Sequence, residues 1–105
     1  MMNDRRRTPR YGFVASAELS QPGTQLRVIS RVSELGLHGC YLNMMDLFPT
    51  GTMVRLRILA GDMAFESKGR IVYHTPNDCA GVAFLEVEPK EESVLKDWLK
   101  EAAER

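Results

Sequence analysis

Residues 52–74 read TMVRLRILAGDMAFESKGRIVYH and predict a β-hairpin. Apolar and arginine side chains alternate over residues 52–59, which is the period of two shown by a strand with one buried face. Gly61-Asp62 then supplies a short turn, and residues 63–74 form a second, longer strand. The apolar positions of the first run are Val54, Leu56 and Ile58. A hairpin of this length places the chain among β proteins.

Three further strands are predicted before the hairpin, separated by turn signals rich in glycine and proline. Residues 11–20 and residues 26–32 both alternate apolar and polar side chains. The chain then turns at Ser33–Gly36 and enters a short strand at residues 38–43. The N-terminal half therefore adds antiparallel strands to the same sheet.

The C-terminal part supplies one more strand and a helix. Residues 79–87 complete the sheet, and residues 89–104 change to helical periodicity. Pro89 suits a first helical turn, and Trp98 is expected to anchor the apolar stripe in the core. Six short antiparallel strands and a terminal helix predict a mainly β fold, a closed or nearly closed six-stranded antiparallel β-barrel with a C-terminal α-helix.

The overall composition is that of one soluble domain. The chain has 105 residues, 44% hydrophobic, 27% charged and with a formal net charge of zero, so any anion site must be local. Cys40 and Cys79 fit no metal or redox spacing and are expected to be small buried side chains. No apolar run approaches the ~18 residues of a membrane span or forms a signal peptide, which predicts a cytoplasmic protein with no membrane span. Gly36, Gly39, Gly69 and Gly81 are expected where strands bend or where backbones approach closely.

Catalysis has little support in the sequence. His38 and His74 are the only histidines, and neither lies near a cysteine or carboxylate at metal-ligand spacing. Ser33 lacks the context of a nucleophile elbow, and no glycine-rich loop resembles a nucleotide fingerprint. The chain is therefore predicted not to be an enzyme and to hold neither a metal nor a cofactor.

Basic residues are concentrated at the N-terminus, where Arg5, Arg6, Arg7 and Arg10 stand against Asp4 alone. Residues 1–10 are too charged to pack by themselves, which predicts a flexible basic arm before a single domain at residues 11–105. Such an arm is either a solvated tail or a phosphate-binding segment. Arg6 and Arg10 have R-x-x-x-R spacing directly before the first strand.

A second segment, Arg31-Val32-Ser33-Glu34-Leu35-Gly36, completes a recognisable pattern. The sequence resembles the PilZ domain family, whose ligand motifs are R-x-x-x-R and [D/N]-x-S-x-x-G. The resemblance extends over nearly the whole chain. It includes the runs LGLHGCYL (35–42), PTGT (49–52), GRIVY (69–73) and GVAF (81–84). It implies a six-stranded barrel that holds cyclic di-GMP across one outer surface, under the N-terminal arm.

The residue types suit that ligand, which carries two guanines and two phosphodiester charges. The resemblance implies that Arg6 and Arg10 are ligand contacts, with Arg5 in support, because an arginine fork binds guanine O6 and N7 or a pair of phosphate oxygens. Ser33 would place a hydroxyl near the ligand or cap the turn backbone. Gly36 would supply a torsion or a close approach that a Cβ atom blocks.

Arg31 departs from the family pattern, which has Asp or Asn at this position to accept from guanine N–H groups. Arginine has five donors and no acceptor, so Arg31 cannot make that contact. Two alternatives remain open. Arg31 contacts a phosphate or stacks on a guanine face, or it is an exposed strand residue beside a weakened site.

The first hypothesis is a cyclic di-GMP receptor and adaptor that signals to a protein partner when its arginine arm becomes ordered. The alternative is a degenerate PilZ-like interaction module that binds protein and no nucleotide. A barrel that binds single-stranded nucleic acid needs exposed aromatic platforms along a basic groove. Because the aromatic side chains here mostly alternate inward and the net charge is zero, no DNA or RNA partner is expected.

Overall fold

A computed structural model describes residues 9–43, 48–75 and 79–104. Within these ranges the chain forms six strands followed by one helix. They are β1 (Arg10–Ser20), β2 (Arg27–Gly36), β3 (Gly39–Asn43), β4 (Met53–Ala60), β5 (Met63–His74), β6 (Cys79–Leu85) and α1 (Pro89–Ala103). The strands pair antiparallel in the order β1-β2-β3-β6-β5-β4 and close into a barrel. The predicted fold class is confirmed.

The interior of the barrel follows from the alternation that predicted the strands. Inward positions carry aliphatic and aromatic side chains that are almost fully buried, whereas the outward positions of β4 carry exposed arginines. The most deeply buried strand residues include Leu19, Leu35, Leu42, Leu56, Ile58, Phe65 and Ile71. Burial of this apolar surface is the main stabilising contribution, at about 25 cal/mol per Å².

Helix α1 packs against β1 and β5 through one apolar face. Trp98 is only 6% exposed, and its ring centroid lies 5.3 Å from that of Phe13 in β1, which confirms its predicted role as the anchor. The helix begins with Pro89, and the Glu66 backbone N–H donates to Glu91 Oε1 at 2.8 Å, which joins the first turn to β5. No helix in the described ranges is long and apolar enough to cross a membrane.

The predicted corner at Ser33–Gly36 is wrong, because β2 continues as a strand through Gly36. Arg10 and Tyr11 pair with Gly36 and Leu35, so β1 also begins one residue earlier than predicted and includes Arg10. The register shifts by one residue near Ser33 in both the β1–β2 and the β2–β3 ladders. The extra residue belongs to β1, between Gly12 and Ala15, in the first ladder and is Ser33 of β2 in the second. Bulges bend a strand without ending it, so β2 continues where the turn is predicted.

The sixth strand is shorter than predicted and ends at Leu85 instead of residue 87. Glu86 has φ 53°, a left-handed conformation that takes the chain out of the ladder. At the four predicted glycines an added Cβ atom would come within 3.0 Å of another atom, which is a backbone atom at Gly39 and a side-chain atom at Gly36, Gly69 and Gly81. At Gly39, for example, an added Cβ atom would collide with the Val82 carbonyl oxygen of the neighbouring strand.

The two cysteines differ in their environment. Cys40 is 2% exposed, and burial raises the pKa of its thiol to about 12. Cys79 is half-buried instead of buried as predicted, and its thiol donates to Asn43 Oδ1 at 3.2 Å. The thiolate is the reactive form, so only Cys79 is placed to react in the folded protein.

A chromogenic disulfide reagent applied near pH 8 is therefore expected to titrate one thiol per native chain and both thiols in denaturant. The Cys79→Ser variant serves as the control and should show no fast-reacting thiol until it is unfolded. Equal reaction rates for the two native thiols would contradict the burial of Cys40.

Candidate functional site

A row of outward-facing residues crosses five neighbouring strands of the barrel. Its members in strand order are Arg10 (β1), Gly36 (β2), Tyr41 (β3), Gly81 (β6) and Tyr73 (β5). The register pairs Arg10 with Gly36, and pairs Gly81 with both Tyr41 and Tyr73. Large and small residues alternate along this row, which steps by two residues between β2 and β3 because Tyr41 pairs with Glu34 and not with Gly36. All five line a cleft of about 240 Å³.

The Arg10 side chain lies across β2 and reaches β3. Its guanidinium carbon is 4.3 Å from the centroid of the Tyr41 ring, and its Nε atom is 3.7 Å from Glu34 Oε1. Gly36 makes this path possible, because a Cβ atom there would lie 2.9 Å from Arg10 Cγ. The close approach predicted for Gly36 is thus made by a side chain of the protein itself.

The two tyrosines form a hydroxyl pair above Gly81. The Tyr73 phenol donates to the Tyr41 phenol oxygen, and the rings meet edge to face with centroids 5.7 Å apart. A Cβ atom on Gly81 would lie 2.8 Å from Tyr73 Cζ, so a glycine is needed beneath the ring. The phenol groups therefore hold a fixed position on the outer surface.

These tyrosines were not identified from the sequence, which predicted mostly inward aromatic side chains. Phe13, Phe48, Phe65 and Trp98 follow that prediction and are buried, whereas Tyr73 is 38% exposed. The register of β5 against β6 shifts between Ile71 and Tyr73, so Val72 is an extra residue. Ile71 and Tyr73 therefore face opposite sides of the barrel wall although they are two residues apart.

The contacts within the row shift the pKa values of its members. The hydrogen bond from Tyr73 lowers the pKa of the Tyr41 phenol and outweighs its partial burial. Burial, together with donation to Tyr41, raises the pKa of Tyr73. Burial lowers the pKa of Arg10, but hydrogen bonding to the two phenol groups more than compensates, and the net change is upward. Arg10 stays cationic throughout the physiological range.

Of the other predicted site residues, two are not described by the structure and two lie outside the lining of this cleft. Arg5 and Arg6 fall outside the described residues. Ser33 occupies the β2 bulge, where its hydroxyl donates to the Tyr41 carbonyl oxygen at 3.3 Å. Arg31 is exposed on β2, opposite Ser16 and Asn43. The described residues that line the cleft include Arg10 and Gly36 but neither Ser33 nor Arg31.

The chemistry of the cleft is that of a binding site for a flat or anionic molecule. It offers one guanidinium fork, two phenol groups and apolar walls that include Leu37, Val72 and Val82. In the part of the chain that the structure describes, no group of His, Cys, Asp and Glu side chains is suited to hold a metal ion. Arginine forks bind phosphate oxygens or the guanine O6–N7 edge in two parallel hydrogen bonds.

Comparisons with known proteins agree with the fold. The family model of the PilZ domain matches residues 4–101. The cyclic di-GMP-bound PilZ domain of YcgR from Escherichia coli is 16% identical, with a TM-score of 0.75 and 96% of each chain covered. The PilZ domain of CeSA from a cellulose-synthesizing bacterium is 16% identical, with a TM-score of 0.71, 88% of this chain covered and 96% of the other.

A third similar structure belongs to a longer protein. The inhibitor of motility MotI (DgrA) of Bacillus subtilis is 14% identical, with a TM-score of 0.77 over 98% of this chain but 53% of its own. The chain thus spans about half the length of that protein. A comparison with curated proteins found no match. At these identities the structural matches show a shared barrel.

Proposed function

The chain belongs to the PilZ domain family, and from that premise we propose that it is a receptor for cyclic di-GMP. One observation carries the proposal. The side chain of Arg10, the second arginine of R-x-x-x-R, passes with its Cγ atom over Gly36 of the S-x-x-G motif and places its guanidinium on Tyr41 in a cleft on the barrel surface. The two motifs, separate in sequence, thus meet at one place. The likeness to the PilZ domain of YcgR, which is bound to cyclic di-GMP, supports the same ligand.

The proposed binding mode assigns each residue a task. Arg10 donates to a guanine edge or to a phosphodiester oxygen pair. Arg5 and Arg6, from the segment preceding β1, add charge and further donors. Ser33 acts through the β2 bulge, where its hydroxyl holds the β3 backbone at Tyr41. Gly36 leaves room for Arg10.

The output of such a receptor is a changed surface. We propose that the arm before β1 becomes ordered on the ligand and then presents a new surface to a protein partner. The proposed activity is binding without catalysis, and the proposed location is the cytoplasm. Arg10 belongs to the barrel and not to the arm, so ordering is expected to spread from a fixed residue toward the N-terminus.

Isothermal titration calorimetry tests the ligand directly. Cyclic di-GMP titrated into the protein at about 100 μM is expected to give saturable heat, and Kd values well below that concentration are readily measured. GMP, which has one guanine and one phosphate, is the matched control and should bind far more weakly. Absence of heat with cyclic di-GMP under these conditions would argue for the alternative function.

That alternative, an interaction module that binds protein and no nucleotide, is favoured by one observation. Arg31 is exposed on β2 at the position where the family motif has Asp or Asn, and it offers no acceptor to a guanine. The variant that separates the two functions is Arg31→Asp.

A further inference from the structure

Resting on the proposed function, we propose that Tyr41 and Tyr73 are positioning residues that hold the Arg10 guanidinium in its binding pose before the ligand arrives. The inference concerns the ligand-free protein. It implies that cyclic di-GMP meets one arginine whose side chain is already fixed.

Three contacts restrain Arg10. Its stem passes over Gly36, its guanidinium covers the Tyr41 ring at 4.3 Å, and its Nε atom lies 3.7 Å from Glu34 Oε1. The side chain is only 22% exposed, although it lies on the outer surface of the barrel. Arginine has many rotamers, so fixing it in the free protein removes an ordering cost from the binding step.

Tyr41 can support Arg10 only if its own ring is fixed, and Tyr73 provides that restraint. Its hydroxyl donates to the Tyr41 hydroxyl, and its ring rests on Gly81. The Tyr41 oxygen therefore acts as an acceptor, and the downward shift in the Tyr41 pKa agrees with this direction. Gly81 thus leaves room for the Tyr73 ring, Tyr73 restrains Tyr41, and Tyr41 restrains Arg10.

The arrangement is more than close packing of surface side chains. Edge-to-face rings can rotate about their long axes, but a hydroxyl–hydroxyl hydrogen bond fixes both phenol ends. A cation over the face of a ring is attracted by the ring quadrupole, and the attraction grows when the pair is partly removed from water. A weakening of ligand binding by about 3- to 30-fold is expected when this contact is lost.

The first test examines the ligand-free protein by NMR of the arginine Nε–Hε groups. The Arg10 signal is assigned by its absence in the Arg10→Lys variant. Its chemical shift should differ from the shifts of solvent-exposed arginines, and its heteronuclear NOE should be high. Arg27, which is exposed on β2, is the internal reference. In Tyr41→Leu the Arg10 signal should move to the position of exposed arginines, and its NOE should fall. If Arg10 already resembles Arg27 in the unmodified protein, the proposal is overturned.

Tyr73→Phe removes one hydroxyl and keeps the ring above Gly81, so the barrel should fold normally. Titration followed by carbon-13 NMR of the tyrosine Cζ atoms, which resolves Tyr41 from Tyr11, should show the Tyr41 pKa rising, because its hydrogen-bond donor is gone. The Arg10 NOE should fall by less than in Tyr41→Leu. An unchanged Tyr41 pKa and an unchanged Arg10 signal would overturn the role given to Tyr73.

The second test is the affinity for cyclic di-GMP. Tyr41→Leu should bind about 3- to 30-fold more weakly, whereas Tyr11→Leu, the same change at a half-buried tyrosine outside this cleft, should bind normally. Normal affinity in Tyr41→Leu would overturn the positioning role. If the unmodified protein does not bind cyclic di-GMP but the NMR experiment shows a fixed Arg10, only the proposed function is overturned. The two failures are therefore distinguishable.

Discussion

Replacing Arg10 with alanine is expected to weaken cyclic di-GMP binding by about 100-fold or more, which removes measurable heat at about 100 μM protein. Hydrogen bonds to charged groups contribute about 1.5–3 kcal/mol each, and a guanidinium fork can make two of them. The variant also loses the cation that covers Tyr41. Calorimetry with cyclic di-GMP, performed as for the unmodified protein, measures the change.

Two further variants define what Arg10 contributes. Arg10→Lys keeps the charge but loses the planar fork, so an intermediate affinity is expected. Arg55→Ala removes an exposed arginine from β4, in a separate surface concavity, and should leave binding unchanged. The Arg10–Glu34 contact lies at the surface and contributes at most about 1 kcal/mol to stability. A loss of affinity in Arg10→Ala therefore reports on the ligand, whereas affinity within about threefold of the unmodified protein would show that Arg10 is not a ligand contact.

The barrel was predictable because its strands bury one face in a regular alternation. The hairpin at residues 52–74 shows the pattern most clearly, and the structure has β4 and β5 within one residue of the predicted ends. The helix was equally clear, since Trp98 falls on a stripe with the helical period and packs on Phe13. These features depend on the local sequence and on hydrophobic burial, both of which periodicity reports.

The candidate site was less predictable because its geometry depends on bulges. A single extra residue reverses which face the following side chains occupy. Val72 does this before Tyr73, and Ser33 does it in β2 opposite β3, where the sequence predicts a turn. The spacing R-x-x-x-R does not reveal that Arg10 pairs with Gly36 or rests on Tyr41. Those contacts join residues distant in sequence and follow from the strand order of the closed barrel.

Replacing Arg31 with aspartate is expected to raise the affinity for cyclic di-GMP by about 5- to 150-fold. The carboxylate restores an acceptor for guanine N–H groups, and such a hydrogen bond contributes roughly 1–3 kcal/mol. The opposing effect is repulsion between the new negative charge and the phosphodiesters. For two unit charges about 10 Å apart in water this repulsion is about 0.4 kcal/mol, and salt reduces it further. Arg31 is exposed, so water and salt screen the repulsion at this position. The gain from the new hydrogen bond is therefore the larger effect.

Arg31→Asn and Arg31→Ala separate the possible sources of that gain. Asparagine supplies an acceptor without charge and should recover much of the affinity, whereas alanine supplies none and should bind like the unmodified protein. An equal gain in all three variants would mean that the arginine obstructs the ligand and that no acceptor is required. A loss in all three would mean that Arg31 itself holds a phosphate or a guanine face. In that case the cationic residue at the start of the S-x-x-G segment is an alternative ligand contact, and the interaction-module hypothesis loses its supporting observation.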